Sequence, residues 1–268
     1  MNSILGIEGL VKYFDGVQAV DHATFGVEAG SVTALIGPNG AGKTTVFNLI
    51  SGLIRPDHGS VTFEDTDVTS SAPHQMAASG LVRTFQQPRT VTRMTVRENL
   101  HMAAPNQPGE NLRNLLISPR AVRRSEETVA ERAEELIDLF ELRGVADDYG
   151  GTLSGGQRKL LEMARALMAG PRMLLLDEPL AGVNPTLVRR IEEMISVLRN
   201  ERNMTVLFIE HDLSTVMRLS DWVIVMSQGA VISSGSPQDV RGDQAVLDAY
   251  LGTHAEEIDP SRHPEDRQ

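Results

Sequence analysis

The sequence predicts an α/β fold: a core of mostly parallel sheet, an antiparallel β subdomain at the N-terminal end and a helical subdomain set into the chain. Three observations predict it. A short apolar run at 32–36 leads into Gly37-Pro38-Asn39-Gly40-Ala41-Gly42-Lys43-Thr44 and then into a helical pattern at 44–53. Apolar runs return at 173–176 and 205–209 with a helical segment at 186–199 between them, and strands buried on both faces with crossover helices make a parallel sheet. From about Ser70 to Gly170 the pattern changes to longer helical segments such as 126–142, interrupted by Pro105, Pro108 and Pro119.

The remaining elements follow in order. Residues 4–10 and 23–27 mix apolar and polar side chains in short runs, and Asp15-Gly16 and Ala29-Gly30 supply turns, so this region reads as antiparallel strands. Near the other end, 222–226 and 230–233 flank Ser227-Gln228-Gly229 and read as a hairpin. The tail from about Thr253 is rich in charge and proline and is expected to be disordered. No internal repeat or low-complexity tract is present.

Length and composition narrow the function. At 268 residues the chain can bury a real core in one or two domains. It contains no apolar stretch long enough to cross a bilayer, so a membrane role would be borrowed from partner subunits. The N-terminus lacks a secretory pattern and there is no cysteine, which points to the cytoplasm. A net charge of −11 opposes non-specific attraction to nucleic acid, and the local cluster Arg120, Arg123 and Arg124 reads as a solvated helix face.

The glycine-rich stretch fits the phosphate-loop pattern at every fixed position. Phosphate oxygens reach a backbone closely only where side chains are missing, and Gly37, Gly40 and Gly42 provide that room at a helix N-terminus. The expected nucleotide-binding set is Gly37, Pro38, Asn39, Gly40, Ala41, Gly42, Lys43, Thr44 and Thr45. Lys43 adds a cation for the terminal phosphates, and Thr44 a hydroxyl for magnesium. Asp177 ends the apolar run Leu174-Leu175-Leu176, where a carboxylate can hold the metal or its water. Glu178 follows as candidate general base, because neighbouring side chains at a strand end point different ways. Ser154 suits the cap of a helix running through 157–168, and Gly155 and Gly156 leave the end of that helix open to an anion.

Taken together and in this order, the phosphate loop, Leu153-Ser154-Gly155-Gly156-Gln157 and Leu174-Leu175-Leu176-Asp177-Glu178-Pro179 resemble the ATP-binding cassette ATPases. The resemblance covers residues 10–252. It implies a RecA-like P-loop core in the ABC ATPase fold, a single domain over 1–252 with core at 1–86 and 171–252 and helical subdomain at about 87–170, and ATP with Mg²⁺ as ligands. It further implies that Ser154, Gly155, Gly156 and Gln157 face the γ-phosphate held by a second cassette, either an identical copy or a paralogue. Three single residues are carried over from the family. Gln86, with Gln87 as the alternative register, matches a glutamine that touches magnesium or its water. His211, directly after Leu207-Phe208-Ile209-Glu210, matches the histidine that steadies attacking water at the γ-phosphate. Phe14, with Tyr13 as the alternative, matches an aromatic stacked on adenine. Where many cassettes have an aspartate, this chain has Asn184 in Ala181-Gly182-Val183-Asn184-Pro185, which keeps hydrogen-bonding capacity without charge.

Within the family, Thr84-Phe85-Gln86, Met94-Thr95-Val96-Arg97-Glu98-Asn99-Leu100, the Ala181-Gly182-Val183-Asn184-Pro185 loop, Ala249-Tyr250-Leu251-Gly252 and the segment 106–124 look like the Liv-type branched-chain amino-acid importer ATPases. Urea or amide importers and the lipopolysaccharide-export ATPase share much of this pattern. The implied partners are transmembrane permease subunits and, indirectly, a solute-binding protein, with the chain peripheral on the inner face of the cell membrane. Soluble cassettes of DNA repair or translation usually carry a coiled-coil insertion or two cassettes, and this chain has neither. A non-hydrolysing module would lack Glu178 or His211. A P-loop kinase would leave 153–157 idle.

Overall fold

A computed structural model describes residues 3–84, 90–105 and 119–257, and the side chains of all of these except 119 and 251–257. The chain divides into two compact units, Met1–Ala72 with Leu207–Gln268, and Pro73–Val206.

In the first unit, β1 (Ser3–Phe14) and β2 (Val17–Glu28) pair antiparallel around a turn at Asp15 and Gly16, both at positive φ. β3 (Val32–Ile36) is buried along its whole length and leads into α1 (Lys43–Ile50). β4 (His58–Phe63) and β5 (Thr66–Asp67) complete an antiparallel sheet of order β2-β1-β4-β5. Both strands of the opening hairpin run longer than the apolar runs 4–10 and 23–27, because cross-strand hydrogen bonds carry polar residues such as Lys12 and Gln18 into the ladder.

The second unit opens with α2 (Pro73–Ala78) and β6 (Leu81–Arg83), and continues through α3 (Val96–Ala103), α4 (Pro119–Leu139) and α5 (Gly155–Met168) to β7 (Met173–Asp177) and α6 (Pro185–Arg202). β6 and β7 pair in parallel, Leu81 opposite Met173. Among the described residues the unit therefore holds α2, β6, β7 and α6 beside the helices within 87–170. β8 (Thr205–Ile209), buried throughout, crosses the division of the units. Back in the first unit come α7 (Leu213–Leu219), then β9 (Trp222–Ser227), which pairs in parallel with β3 and antiparallel with β10 (Ala230–Gly235). α8 (Pro237–Arg241) and α9 (Gln244–Glu257) end the described chain, and α9 continues past Thr253.

The packing of α3 rests on one buried polar side chain. Thr95 and Glu98 form a capping box at its start, the Thr95 hydroxyl accepting from Glu98 N–H and the Glu98 carboxylate accepting from Thr95 N–H. Asn99 is fully buried; its amide oxygen accepts from Val91 N–H, and its amide nitrogen donates to the carbonyls of Val91, Met94 and Thr95. One side chain thus closes the loop before α3. Asn99→Leu removes the partner of buried backbone groups and is expected to cost about 2–3 kcal/mol in urea unfolding. A loss of a few tenths would show that the loop re-pairs with itself.

Candidate nucleotide site

The phosphate-loop residues 37–45 follow the exit of β3. Gly37 has φ 149°, and a Cβ there would lie 2.1 Å from the Met226 carbonyl oxygen, so β9 admits only glycine. Gly42, at φ 95°, caps α1 without a side-chain hydrogen bond, and the helix presents a bare N-terminus. Such an end attracts phosphate through its amides and its dipole. Lys43 is buried, and its ammonium donates to the carbonyls of Gly37 (2.7 Å) and Pro38 (2.9 Å), which holds the cation inside the loop. Asn39, Gly40 and Thr44 are exposed along the rim, while Ala41 is buried and Thr45 half-buried.

Tyr250 of α9 reaches the same loop. Its phenol accepts a hydrogen bond from the Gly37 backbone, and burial pushes its pKa up to about 12, so the neutral form persists across the physiological range. The sequence showed Tyr250 as part of a family marker, and nothing local in it points back to residue 37.

His211 is exposed just beyond β8. The next residue, Asp212, caps α7: its carboxylate accepts from the hydroxyls and amides of Thr215 and Ser214. These bonds, the Thr215 and Ser214 hydroxyls first, hold the carboxyl below its ordinary pKa. A depressed folded pKa stabilises the fold above the unfolded value of about 3.9, and the contribution is lost as pH falls through the folded value. Asp212→Ala is therefore expected to cost about 1 kcal/mol at neutral pH. In urea unfolding the gap from the parent should close on acidification; a gap independent of pH would assign the loss to something other than the carboxylate.

Phe14 and Tyr13, at the end of β1, are each 45% exposed. The Lys12 ammonium lies 5.7 Å from the centre of the Phe14 ring and also pairs with Asp57 at 3.0 Å. Tyr13 N–H and Lys12 together hold Asp57 below the usual carboxylate range. Both aromatics remain available to stack on a flat ligand.

The second unit holds the other residues. Ser154 caps α5, its hydroxyl accepting from Gln157 N–H (3.2 Å), and the Gln157 side-chain oxygen accepts from Ser154 N–H (2.9 Å). Gln157 is thus committed to the cap. The two glycines differ: a Cβ on Gly155 would meet nothing within 4 Å, whereas one on Gly156 would lie 2.6 Å from Leu187 of α6. Only the first leaves the helix end open; the second permits close packing.

Asp177 ends β7 with its side chain fully buried. Its Oδ2 accepts from Arg83 at 2.8 Å, and Oδ1 has no hydrogen-bond partner among the described residues. A hard anionic oxygen left unpaired in the interior suits a divalent cation. Glu178 follows at φ 49°, half-buried, and its carbonyl accepts from the Lys159 ammonium. Asn184 caps α6 by accepting from Leu187 N–H at 2.9 Å, with Pro185 at the first helical position. The residue that lacks the usual charge is a helix cap. Gly155, Lys159, Asp177, Glu178 and Asn184 line one cavity of about 520 Å³. Gln86 and Gln87 lie outside the described residues.

The sequence model of the family described as ABC transporter matches residues 20–181, which include the phosphate loop, Ser154 to Gln157 and Asp177. The chain belongs to the ABC transporter family. A second model, described as branched-chain amino acid ATP-binding cassette transporter, matches residues 230–256 of this cassette. The cassette is 41% identical over 256 residues to a probable branched-chain amino acid transport ATP-binding protein, LivG, of Archaeoglobus fulgidus, covering 96% of this chain and 98% of that protein. It is 41% identical over 249 residues to the high-affinity branched-chain amino acid transport ATP-binding protein BraF of Pseudomonas aeruginosa, covering 93% and 98%. Among solved structures, the ADP conformation of an ATP-binding cassette of an ABC transporter aligns with a TM-score of 0.79 at 38% identity, covering 94% of this chain and all of that one. The α/β cassette fold and the nucleotide-binding function expected from the motifs are those of the family.

Arg83, Lys159 and Tyr250 were not among the residues expected at the site. Only Lys159 left a local signal, lying two residues after Gln157 on the same helix.

Proposed function

We propose that this cassette is the ATP-hydrolysing subunit of an importer for branched-chain amino acids, acting as one of a pair of cassettes beneath separate membrane permease subunits. The match over residues 230–256 carries the cargo, because that segment lies outside the phosphate loop, the 153–157 motif and the strand that ends at Asp177. Among the described residues no helix is long and apolar enough to cross a membrane, which fits a subunit held at the cytoplasmic face by permeases.

In the mechanism, the bare start of α1 and the Lys43 ammonium take the ATP phosphates, and the lysine exchanges two loop carbonyls for them. Phe14 or Tyr13 stacks on adenine. Ser154 and Gly155 of a second cassette complete the site at the γ-phosphate. The Glu178 carboxylate accepts the proton of the attacking water, and His211 orients that water. Thr44, Gln86 and the unpaired Oδ1 of Asp177 would hold Mg²⁺, which supplies charge neutralisation at the phosphates. Loss of the γ-phosphate releases the partner helix, and the helical region passes that motion to the permeases.

Isolation of the tagged chain from native membranes, identification of the copurified permease and solute-binding protein, and uptake assays in reconstituted vesicles test the cargo. ATP-dependent uptake of leucine, isoleucine or valine is the expected result. A complex that moves urea, an amide or a lipid instead would overturn the cargo and leave the ATPase reading intact.

A further inference from the structure

Glu178 occupies the left-handed region at φ 49°, a conformation that costs a residue with a side chain about 1–2 kcal/mol and needs restraint from its surroundings. The restraint comes from α5. The Lys159 ammonium donates to the carbonyl of Glu178 at 2.8 Å and to that of Ala181 at 3.3 Å. Ala181 N–H closes the same turn onto the Glu178 carbonyl at 3.2 Å. One cation therefore spans both ends of the four-residue turn 178–181. Lys159 is half-buried, so these charge-assisted bonds compete with water over only part of its surface.

We propose that Lys159 is a positioning residue for ATP hydrolysis: it holds the turn that aims the Glu178 carboxylate, and so ties the helix that begins at Ser154 to the general base of its own chain. The proposal rests on the reading of Glu178 as that base. Its physical content is a geometric tolerance. A general base must lie within hydrogen-bond reach of the water it deprotonates. Lys159 holds the backbone carbonyls of the turn, so its removal leaves the base present and misdirected. Nucleotide affinity, which depends on the loop at 37–45, should not change.

The test uses the purified full-length chain and steady-state ATP hydrolysis, with kcat and KM determined separately. Lys159→Met is expected to lower kcat by about 10- to 100-fold, the loss that small misplacements of reacting groups produce. KM for ATP should stay within about twofold, since binding energy common to ground and transition state is untouched. Lys159→Arg keeps the charge and the reach and should recover most of the rate. On a Glu178→Gln background, Lys159→Met should cost nothing further. Should Lys159→Met fail to fold, Lys159→Gln, which retains an amide donor, is expected to fold with an intermediate kcat.

An unchanged kcat in Lys159→Met, a loss confined to KM, an equal loss in Lys159→Arg, or a full additional loss on the Glu178→Gln background overturns the proposal. If Lys159→Met behaves as the parent while Glu178→Gln is inactive, positioning alone fails. If Glu178→Gln turns over normally, the general-base reading falls and the proposal with it.

Discussion

Glu178→Gln is expected to lower steady-state ATP turnover by about 10²- to 10⁴-fold while nucleotide binding survives, the range over which a positioned general base acts. The amide nearly preserves size and shape but cannot take a proton from water at neutral pH. The backbone of Glu178 sits in the turn held by Lys159, whereas Lys43 is held by the carbonyls of Gly37 and Pro38 and Gly42 leaves the start of α1 open. Binding and chemistry should therefore separate. With hydrolysis blocked, ATP cannot be spent, and a pair of cassettes closed around it should accumulate as a species of doubled mass on size exclusion in ATP and Mg²⁺. Turnover equal to the parent would end the assignment of Glu178 as base, and an inactive variant that no longer binds ATP would assign it to binding instead.

What the sequence made legible was chemistry that a short peptide carries in itself. Glycines at 37, 40 and 42 with Lys43 specify a phosphate loop because the constraint is local: a backbone without side chains, then a cation. Four apolar residues followed by Asp177 specify a buried strand with a carboxylate at its end for the same reason. Ser154 as a helix cap was also readable, although its reciprocal bond with Gln157 assigns that glutamine a capping task that resemblance alone did not suggest. The rest depended on packing between distant segments. Arg83 meets Asp177 across 94 positions, and Tyr250 meets Gly37 across a still larger gap. Asn99 was visible only as one letter of a family pattern, though four hydrogen bonds make it the knot of its loop. Asn184 was read through the charge it lacks, whereas its evident physical task is to cap α6.

Arg83→Leu is expected to destabilise the nucleotide-free chain by about 3–5 kcal/mol, because removing one member of a buried ion pair strands the other. Asp177 is fully buried at its side chain and Arg83 is 9% exposed, so water cannot take over from the guanidinium. The second carboxylate oxygen is already without a partner, and the leucine offers none. Two further measurements decide whether the stranded charge is the cause. Asp177→Asn together with Arg83→Leu should recover a substantial part of the loss, since the neutral amide no longer carries a charge into the interior; coupling of about 2 kcal/mol or more in the double-mutant cycle is the expected size for a close buried pair. Mg²⁺ with a non-hydrolysable ATP analogue should stabilise Arg83→Leu by more than it stabilises the parent, because a cation drawn to Oδ1 relieves a carboxylate that has lost the Arg83 guanidinium. Strict additivity in the cycle would mean that Arg83 supports β6 by packing alone. In that case the Asp177 carboxylate would not be balanced by the guanidinium on Oδ2, and a cation arriving with the nucleotide at Oδ1 would stabilise the variant no more than the parent.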